Sequence, residues 1–302
     1  MNSLEFLKKL NNTNPSIVTI GTFDGVHIGH EYLINEVIKH NNDLITTAIV
    51  FNRPPKEIIT NLNTPMIMTL KDKNKRIKEM GVKNLIALDF DNHIKSLSCK
   101  EFIKILKENI NINILVIGED TSLGKDKIGP YNGLEEILKS FGASLVSVNN
   151  KLNKGAKISS SEIKKVILDG NIKKANSFLT NSYSVEGTVI EGKKNGRELG
   201  YPTANIVTEK DLIVPKDGVY KTTTLFQGKE YLSATSIGNN PTFNGSKRSI
   251  ETYIIDFNQN IYGENIRIIF KDFIRSQIKF SKIEELKSQM MDDINYILNI
   301  KE

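Results

Sequence analysis

Gly21-Thr22-Phe23-Asp24-Gly25-Val26-His27-Ile28-Gly29-His30 is the stretch on which the reading of this chain turns. It follows Ser16-Ile17-Val18-Thr19-Ile20, a β-branched apolar run of strand type. It precedes Tyr32, Leu33, Val37 and Ile38, which recur at helical spacing. A strand that passes through a Gly-containing turn into a helix opens an α/β unit. Helical backbone N–H groups at such a turn favour anions, and Gly29 lets phosphate come close. Two histidines with two residues between them at the helix start can both face a bound nucleoside triphosphate. There they would stabilise charge that builds on phosphate oxygens during attack at the α-phosphorus.

Outward from this turn, apolar runs recur at Leu44–Phe51, Leu85–Leu88, Ile112–Ile117 and Ser144–Val148. Helical patterns at Lys71–Met80, Lys100–Asn109 and Leu134–Ser140 separate most of them. Strands that read as continuous apolar runs belong to a parallel sheet covered on both faces. The first half is therefore expected to be doubly wound α/β, with ligands beyond the carboxyl ends of the strands. Two further helices, Ser160–Asp169 and Ile172–Leu179, are each introduced by a capping residue, Ser159 or Asn171.

After residue 182 the pattern changes. Strand-like stretches at Ser184–Ile190, Gly218–Leu225, Tyr231–Ile237, Ser249–Phe257 and Asn265–Phe273 are punctuated by Gly, Pro and Asn, without crossover helices. This pattern predicts an antiparallel barrel. Ile283, Leu286, Met290, Ile294 and Ile297 then place one apolar face on a terminal helix within Ser281–Asn299. Two domains follow, 1–182 and 183–302.

Composition narrows the classes. The 302 residues are 39% hydrophobic and 25% charged, enough for two modest cores and unlike a disordered chain. Cys99 is the single cysteine, which excludes a disulfide framework, a cysteine-rich zinc site and an iron–sulfur cluster. Residues 1–10 lack the order of a secretory signal, and no apolar run approaches the roughly 18 residues of a membrane helix. A cytoplasmic location is expected. The 41 basic against 35 acidic residues, net +6, fit either a solvated surface or an anionic ligand. There is no arginine-rich run and no strand pair of interleaved aromatics for stacking bases, so neither nucleic acid nor membrane is expected as a partner.

The histidine segment resembles the signature of the nucleotidylyltransferase superfamily. Its wording is closest to the FAD synthetase module of bacterial bifunctional riboflavin kinase/FAD synthetases. Ile158-Ser159-Ser160-Ser161-Glu162-Ile163-Lys164 resembles that family's second nucleotide signature, with Ser161 for Thr and Lys164 for Arg. Lysine keeps the charge but loses the bidentate fork. The resemblance implies a Rossmann-like nucleotidylyltransferase domain. His27 and His30 would act on phosphate, and Gly21, Phe23, Asp24, Gly29, Ser160, Ser161 and Lys164 would bind nucleotide. Two segments depart from the family. Phe51-Asn52-Arg53-Pro54-Pro55 stands where Phe-Asp-Pro-His-Pro is usual, and 118–125 keeps its two glycines without the Phe-Arg-Phe pattern.

The second dense signal is Gly196-Arg197-Glu198-Leu199-Gly200-Tyr201-Pro202-Thr203-Ala204-Asn205. It resembles the riboflavin kinase module, in which a Thr hydroxyl and an Asn carbonyl oxygen serve Mg²⁺ and nucleotide phosphate. The resemblance places Thr203 and Asn205 at the metal and Gly200, Pro202, Thr203 and Asn205 at the nucleotide. Residues two apart on an extended segment face the same way. The match continues through 237–243, Glu251-Thr252-Tyr253-Ile254-Ile255-Asp256-Phe257, Tyr262-Gly263 and Phe273-Ile274-Arg275. It makes Glu251 the catalytic base and puts Arg275 and Phe280 on the flavin side. The expectation is a bifunctional enzyme that uses ATP twice, first to phosphorylate riboflavin to FMN and then to adenylylate FMN to FAD. The two departures keep open an active kinase carrying a weak or specialised nucleotidylyltransferase module. A non-catalytic flavin- or RNA-binding regulator is the reading from a different class.

Overall fold

The structure is a computed structural model that describes residues 1–40, 43–60, 62–149, 152–153, 156–192, 195–239 and 248–299. The chain divides into two compact units, Met1–Thr64 with Thr69–Ser160, and Pro65–Met68 with Ser161–Glu302.

The first unit begins with α1 (Ser3–Lys9), β1 (Ser16–Gly21), α2 (Ile28–Lys39), β2 (Ile45–Phe51), α3 (Pro55–Thr60) and α4 (Leu70–Glu79). It continues with β3 (Asn84–Leu88), α5 (Asn92–Lys95), α6 (Cys99–Ile110), β4 (Ile112–Gly118), α7 (Leu134–Ser140) and β5 (Ser144–Val148). A small hairpin, β6 (Leu152–Asn153) with β7 (Ala156–Lys157), follows. The five long strands form one parallel sheet in the order β3-β2-β1-β4-β5. Connections run one way from β1 to β2 and β3, and the other way to β4 and β5. The crevice of such a sheet therefore opens between the ends of β1 and β4, at Gly21 and Gly118.

Covering both faces explains the apolar runs. On one side Val18, Ile20, Ile49, Leu115 and Ile117 pack with Phe102, Ile103 and Leu106 of α6. On the other, Ile17 and Val116 lie with Val37 of α2. The helix α6 starts at a capping box, in which Ser98 and Glu101 serve each other's backbone N–H, and stops at Asn111 in the left-handed region, φ 46°.

The second unit takes in α8 (Ser160–Leu168) from Ser161 onward, then α9 (Ile172–Phe178), β8 (Ser184–Ile190), α10 (Asn195–Glu198) and β9 (Thr203–Thr208). After these come β10 (Gly218–Phe226), β11 (Lys229–Gly238), β12 (Ser249–Ile254), β13 (Asn265–Arg275) and α11 (Ile283–Asn299). Six strands close a barrel in the order β10-β11-β12-β9-β8-β13, every pair antiparallel. Asn171 caps α9 by accepting from the Lys174 N–H. Asn176 of α9 fixes that helix to the barrel, donating to the Phe270 carbonyl at 2.9 Å and accepting from the Tyr183 N–H at 2.8 Å.

Not all of the buried surface is apolar. Five hydroxyl side chains, Thr222, Thr224, Ser233, Thr235 and Thr252, are fully buried and joined oxygen to oxygen at 2.8–2.9 Å across β10, β11 and β12. Each satisfies a neighbour that would otherwise be costly to bury.

Two boundaries differ from the sequence pattern. The strand expected to reach Phe257 ends at Ile254, and Asp256 turns into the left-handed region, φ 55°. The terminal helix does form, but Ile283 is 53% exposed, whereas the polar Asp293 is buried with Ile297. The reason is Arg275 at the end of β13. Its Nε lies 2.9 Å from Asp293 Oδ1 and its Nη2 2.6 Å from Oδ2, and Gln289 donates to the same carboxylate at 3.1 Å. Removing one partner of a buried, forked pair strands the other. Asp293→Ala is accordingly expected to lower the stability of this unit by about 3 kcal/mol, seen as a lower urea midpoint at unchanged slope. A loss below about 0.5 kcal/mol would mark the pair as a screened surface contact.

Candidate active sites

In the first unit the loop after β1 is held in an uncommon backbone path. Phe23, Gly25 and Val26 all have positive φ, 53°, 81° and 41°. For a β-branched residue such as Val26 this conformation is strained, and it persists only because the surroundings fix it. Phe23, Asp24, Val26 and His27 are buried. Ser160, the first residue of α8 and the last of the first unit, donates to the Asp24 carbonyl at 2.9 Å, which ties that serine to the histidine loop. Ser161 and Lys164, on the part of α8 that belongs to the second unit, are exposed and half-buried, three residues apart and hence on one face of that helix.

His27 is the N-cap of α2, and its Nδ1 accepts from the His30 N–H at 3.3 Å. An accepting Nδ1 leaves the proton of the neutral ring on Nε2, which is then the ring's donor. The two imidazoles stack, centroids 3.5 Å apart at 19°, and Phe23 lies 5.1 Å from the His30 ring. A Cβ on Gly29 would stand 3.1 Å from His27 Nδ1, so the glycine is what admits the His27 ring. Gly21 ends β1 beside this group, against the Phe23 ring.

Burial lowers the His27 pKa from 6.5 to about 4. His30 is held well below its ordinary value by burial first, then by the charges of His27 and Lys73. Both rings are neutral at pH 7, so they act as hydrogen-bond donors, not as cations. The unfolded chain binds these protons at higher pH than the fold does. The stability contributed by keeping His27 neutral is thus complete above pH 6.5 and lost as pH falls from 6.5 toward about 4. On this account acidification across that interval costs about 3 kcal/mol at His27 alone. Urea titrations at stepped pH would show it as a falling midpoint in wild type and a smaller fall in His27→Gln.

The first departure from the expected wording also has a structure. Arg53 donates to Asn63 Oδ1 at 2.8 Å and lies 3.6 Å from Glu57 of α3, so it is drawn into a local polar group. The second departure, 118–125, is closed by the Thr121 N–H on the Gly118 carbonyl at 2.9 Å, at the carboxyl end of β4.

In the second unit Thr203 and Asn205 open β9, which pairs with β12 so that Asn205 stands directly across from Glu251 and Thr203 from Tyr253. Thr203, Asn205 and Glu251 consequently share one face of the two strands. Thr203 Oγ1 lies 3.4 Å from Glu251 Oε2, and Ser249, two residues before the glutamate, donates to Oε1 at 3.0 Å. A Cβ on Gly192 would stand 2.3 Å from the Asn205 amide nitrogen, so that glycine leaves room for the asparagine. Gly200 takes φ 87° in the turn before exposed Pro202. A cavity of about 520 Å³ is bounded by Thr203, Asn205, Thr252, Phe257, Asn258 and Tyr262, among others. Thr203 and Asn205 bring a hydroxyl and an amide oxygen to its wall, and the Glu251 carboxylate is tied to the same group through Thr203 Oγ1.

Arg275 is engaged by Asp293, as described above, and Phe280 is half-buried in the segment between β13 and α11. Of the expected run 237–243, residues 240–243 lie outside the described residues. Sequence reasoning missed Ser249 and Gly192. A strand period of two from Glu251 would have pointed to the serine.

Comparison with known proteins gives consistent matches. The FAD synthetase family model matches residues 9–162, and the riboflavin kinase family model matches 179–301. A bifunctional riboflavin kinase/FMN adenylyltransferase of Buchnera aphidicola subsp. Schizaphis graminum is 35% identical, covering 96% of this chain and 95% of that protein. One of the same name from Listeria monocytogenes is 33% identical over 92% of this chain and 90% of its own length. A crystal structure described as a macrolide-efflux protein from Streptococcus pneumoniae is 33% identical, with a TM-score of 0.88 over 98% of this chain and 97% of that one. Efflux is that protein's description. Among the described residues of this chain, no helix is long and apolar enough to cross a membrane.

Proposed function

Because the chain belongs to the bifunctional riboflavin kinase/FMN adenylyltransferase family, we propose a division of its two ATP-using reactions between the two sites described. It phosphorylates riboflavin to FMN and adenylylates FMN to FAD, with ATP as substrate in both steps. The kinase step is assigned to residues 183–302 and adenylylation to 1–182. Glu251 standing beside Thr203 and across from Asn205 carries this assignment.

In the kinase step the Glu251 carboxylate takes the proton of riboflavin's terminal primary hydroxyl as that oxygen attacks the γ-phosphorus and ADP departs. Ser249 and Thr203 hold the carboxylate in place. Thr203 and Asn205 suit Mg²⁺, which takes hard oxygen ligands and neutralises phosphate charge when bound. Gly200 and Pro202 shape the turn along the nucleotide. Phe280 offers a ring face to the flavin, and Arg275 holds α11 at that side.

In the second step a phosphate oxygen of FMN attacks the α-phosphorus of ATP, and pyrophosphate leaves. His27 and His30 donate N–H groups to the oxygens that gain charge, and Ser160, bonded to the Asp24 carbonyl, lies on the triphosphate side. Gly21, Phe23, Asp24 and Gly29 give this pocket its shape. The reactions need no membrane or nucleic acid, and the single buried Cys99 suits a reducing cytoplasm.

Incubation with riboflavin, Mg²⁺ and ATP, followed by chromatography of the flavins, is expected to yield FMN and then FAD with one pyrophosphate per FAD. Absence of FMN would overturn the reading. FMN without FAD would favour a kinase with a specialised second module, which the engagement of Arg53 by Glu57 and Asn63 motivates.

A further inference from the structure

Lys73 is the fourth residue of α4 and is 0% exposed, whereas Lys71, Lys75 and Lys78 on the same helix lie in solvent. It shares the buried face with Ile77, one turn on. An apolar side chain of similar length would fill this volume without the cost of desolvating an ammonium. The position is specific. Nζ donates to the carbonyl of Phe51 at 2.8 Å, the last residue of β2, so the charge sits at the carboxyl edge of the parallel sheet. Val50 pairs with Gly21, so the Phe51 carbonyl lies beside the end of β1 that leads into the histidine turn, and the Lys73 charge is one of those that lower the His30 pKa.

Adenylyl transfer creates a demand that the imidazoles meet only as neutral hydrogen-bond donors. Both are neutral, yet the departing pyrophosphate gathers negative charge, and a fixed cation in a dry site stabilises such charge far more than one in water. We propose that Lys73 is a further residue of the adenylyl-transfer site, an ammonium anchored on the Phe51 carbonyl that offsets charge developing on the triphosphate beside His30. The proposal rests on the assignment of FMN adenylylation to this unit.

The test uses the full chain with Lys73→Met and Lys73→Gln. The second variant keeps a neutral donor for the Phe51 carbonyl and so separates anchoring from charge. Both are expected to lower kcat for FAD formation from FMN and ATP by about 100-fold, with FMN formation from riboflavin unchanged and KM for FMN within about threefold of wild type. Wild-type kcat in Lys73→Gln overturns the proposal, as does equal loss of both activities, which would assign Lys73 to the fold. If Lys73→Met does not fold, Lys73→Gln decides alone. A wild-type chain that forms no FAD would refute the underlying assignment and the proposal together. FAD formation by wild type with an unimpaired Lys73→Gln refutes only the proposal.

Discussion

Glu251→Ala is expected to reduce FMN formation by about 10³-fold while conversion of supplied FMN to FAD stays within about twofold of wild type. The size follows from the chemistry. A primary alcohol is a poor nucleophile at neutral pH unless its proton is taken as it attacks, and no other carboxylate stands across from Asn205 on this pair of strands. Glu251→Gln makes the test stricter, because the amide preserves volume and can still bond with Thr203 and Ser249 but cannot accept the proton. Both variants should show the loss in kcat, with KM for ATP little changed, since Thr203 and Asn205 are intact. Glu251→Gln with more than about a tenth of wild-type kcat would reassign the residue from proton acceptor to scaffold.

The mirror-image result is expected for His30→Ala, with FAD formation lowered by about 10² to 10³-fold and FMN formation unaffected. The ring lost is stacked on His27 at 3.5 Å and packed near Phe23, so His27→Ala alone should not reproduce its full effect. The acid limb supplies a second readout. A histidine that the fold keeps neutral is a source of acid sensitivity, so the His30→Ala protein should keep more of its neutral-pH stability near pH 5 than wild type does. If either His30→Ala or Glu251→Ala abolished both activities, the division between sites would be wrong.

Much of the architecture was legible because its signals are local. Continuous apolar runs such as Ile112–Ile117 become central strands, and β4 ends at Gly118 where the run ends. What was not legible depends on partners distant in sequence. Thr203 and Asn205 do stand on an extended segment as expected, but its continuation to Thr208 as a barrel strand depends on β8 and β12, which supply hydrogen bonds on both sides. Asp293 interrupts an otherwise apolar helix face and is buried because Arg275, eighteen residues earlier, answers its charge. The helix α1 has Leu7 as its one buried residue, too little to give a periodic signal.

The same distinction holds at the sites. The spacing of His27 and His30 on a strand–turn–helix was enough to find them. Their stacking and loss of positive charge come from burial that sequence does not display. Lys73 was invisible for the opposite reason: within Lys71-Asp72-Lys73-Asn74-Lys75 it has the look of one more solvated lysine, and only the packing of α4 on the sheet sets it apart.

The hydroxyl chain across β10, β11 and β12 bears on how the barrel responds to temperature. Exposing apolar surface raises the heat capacity of unfolding, while exposing polar surface lowers it. A barrel that buries five hydroxyls where aliphatic side chains could stand therefore has a smaller heat-capacity increment than an apolar barrel of equal size. Its free energy of unfolding curves less with temperature, so the kinase fold should lose stability more gradually on both sides of its maximum.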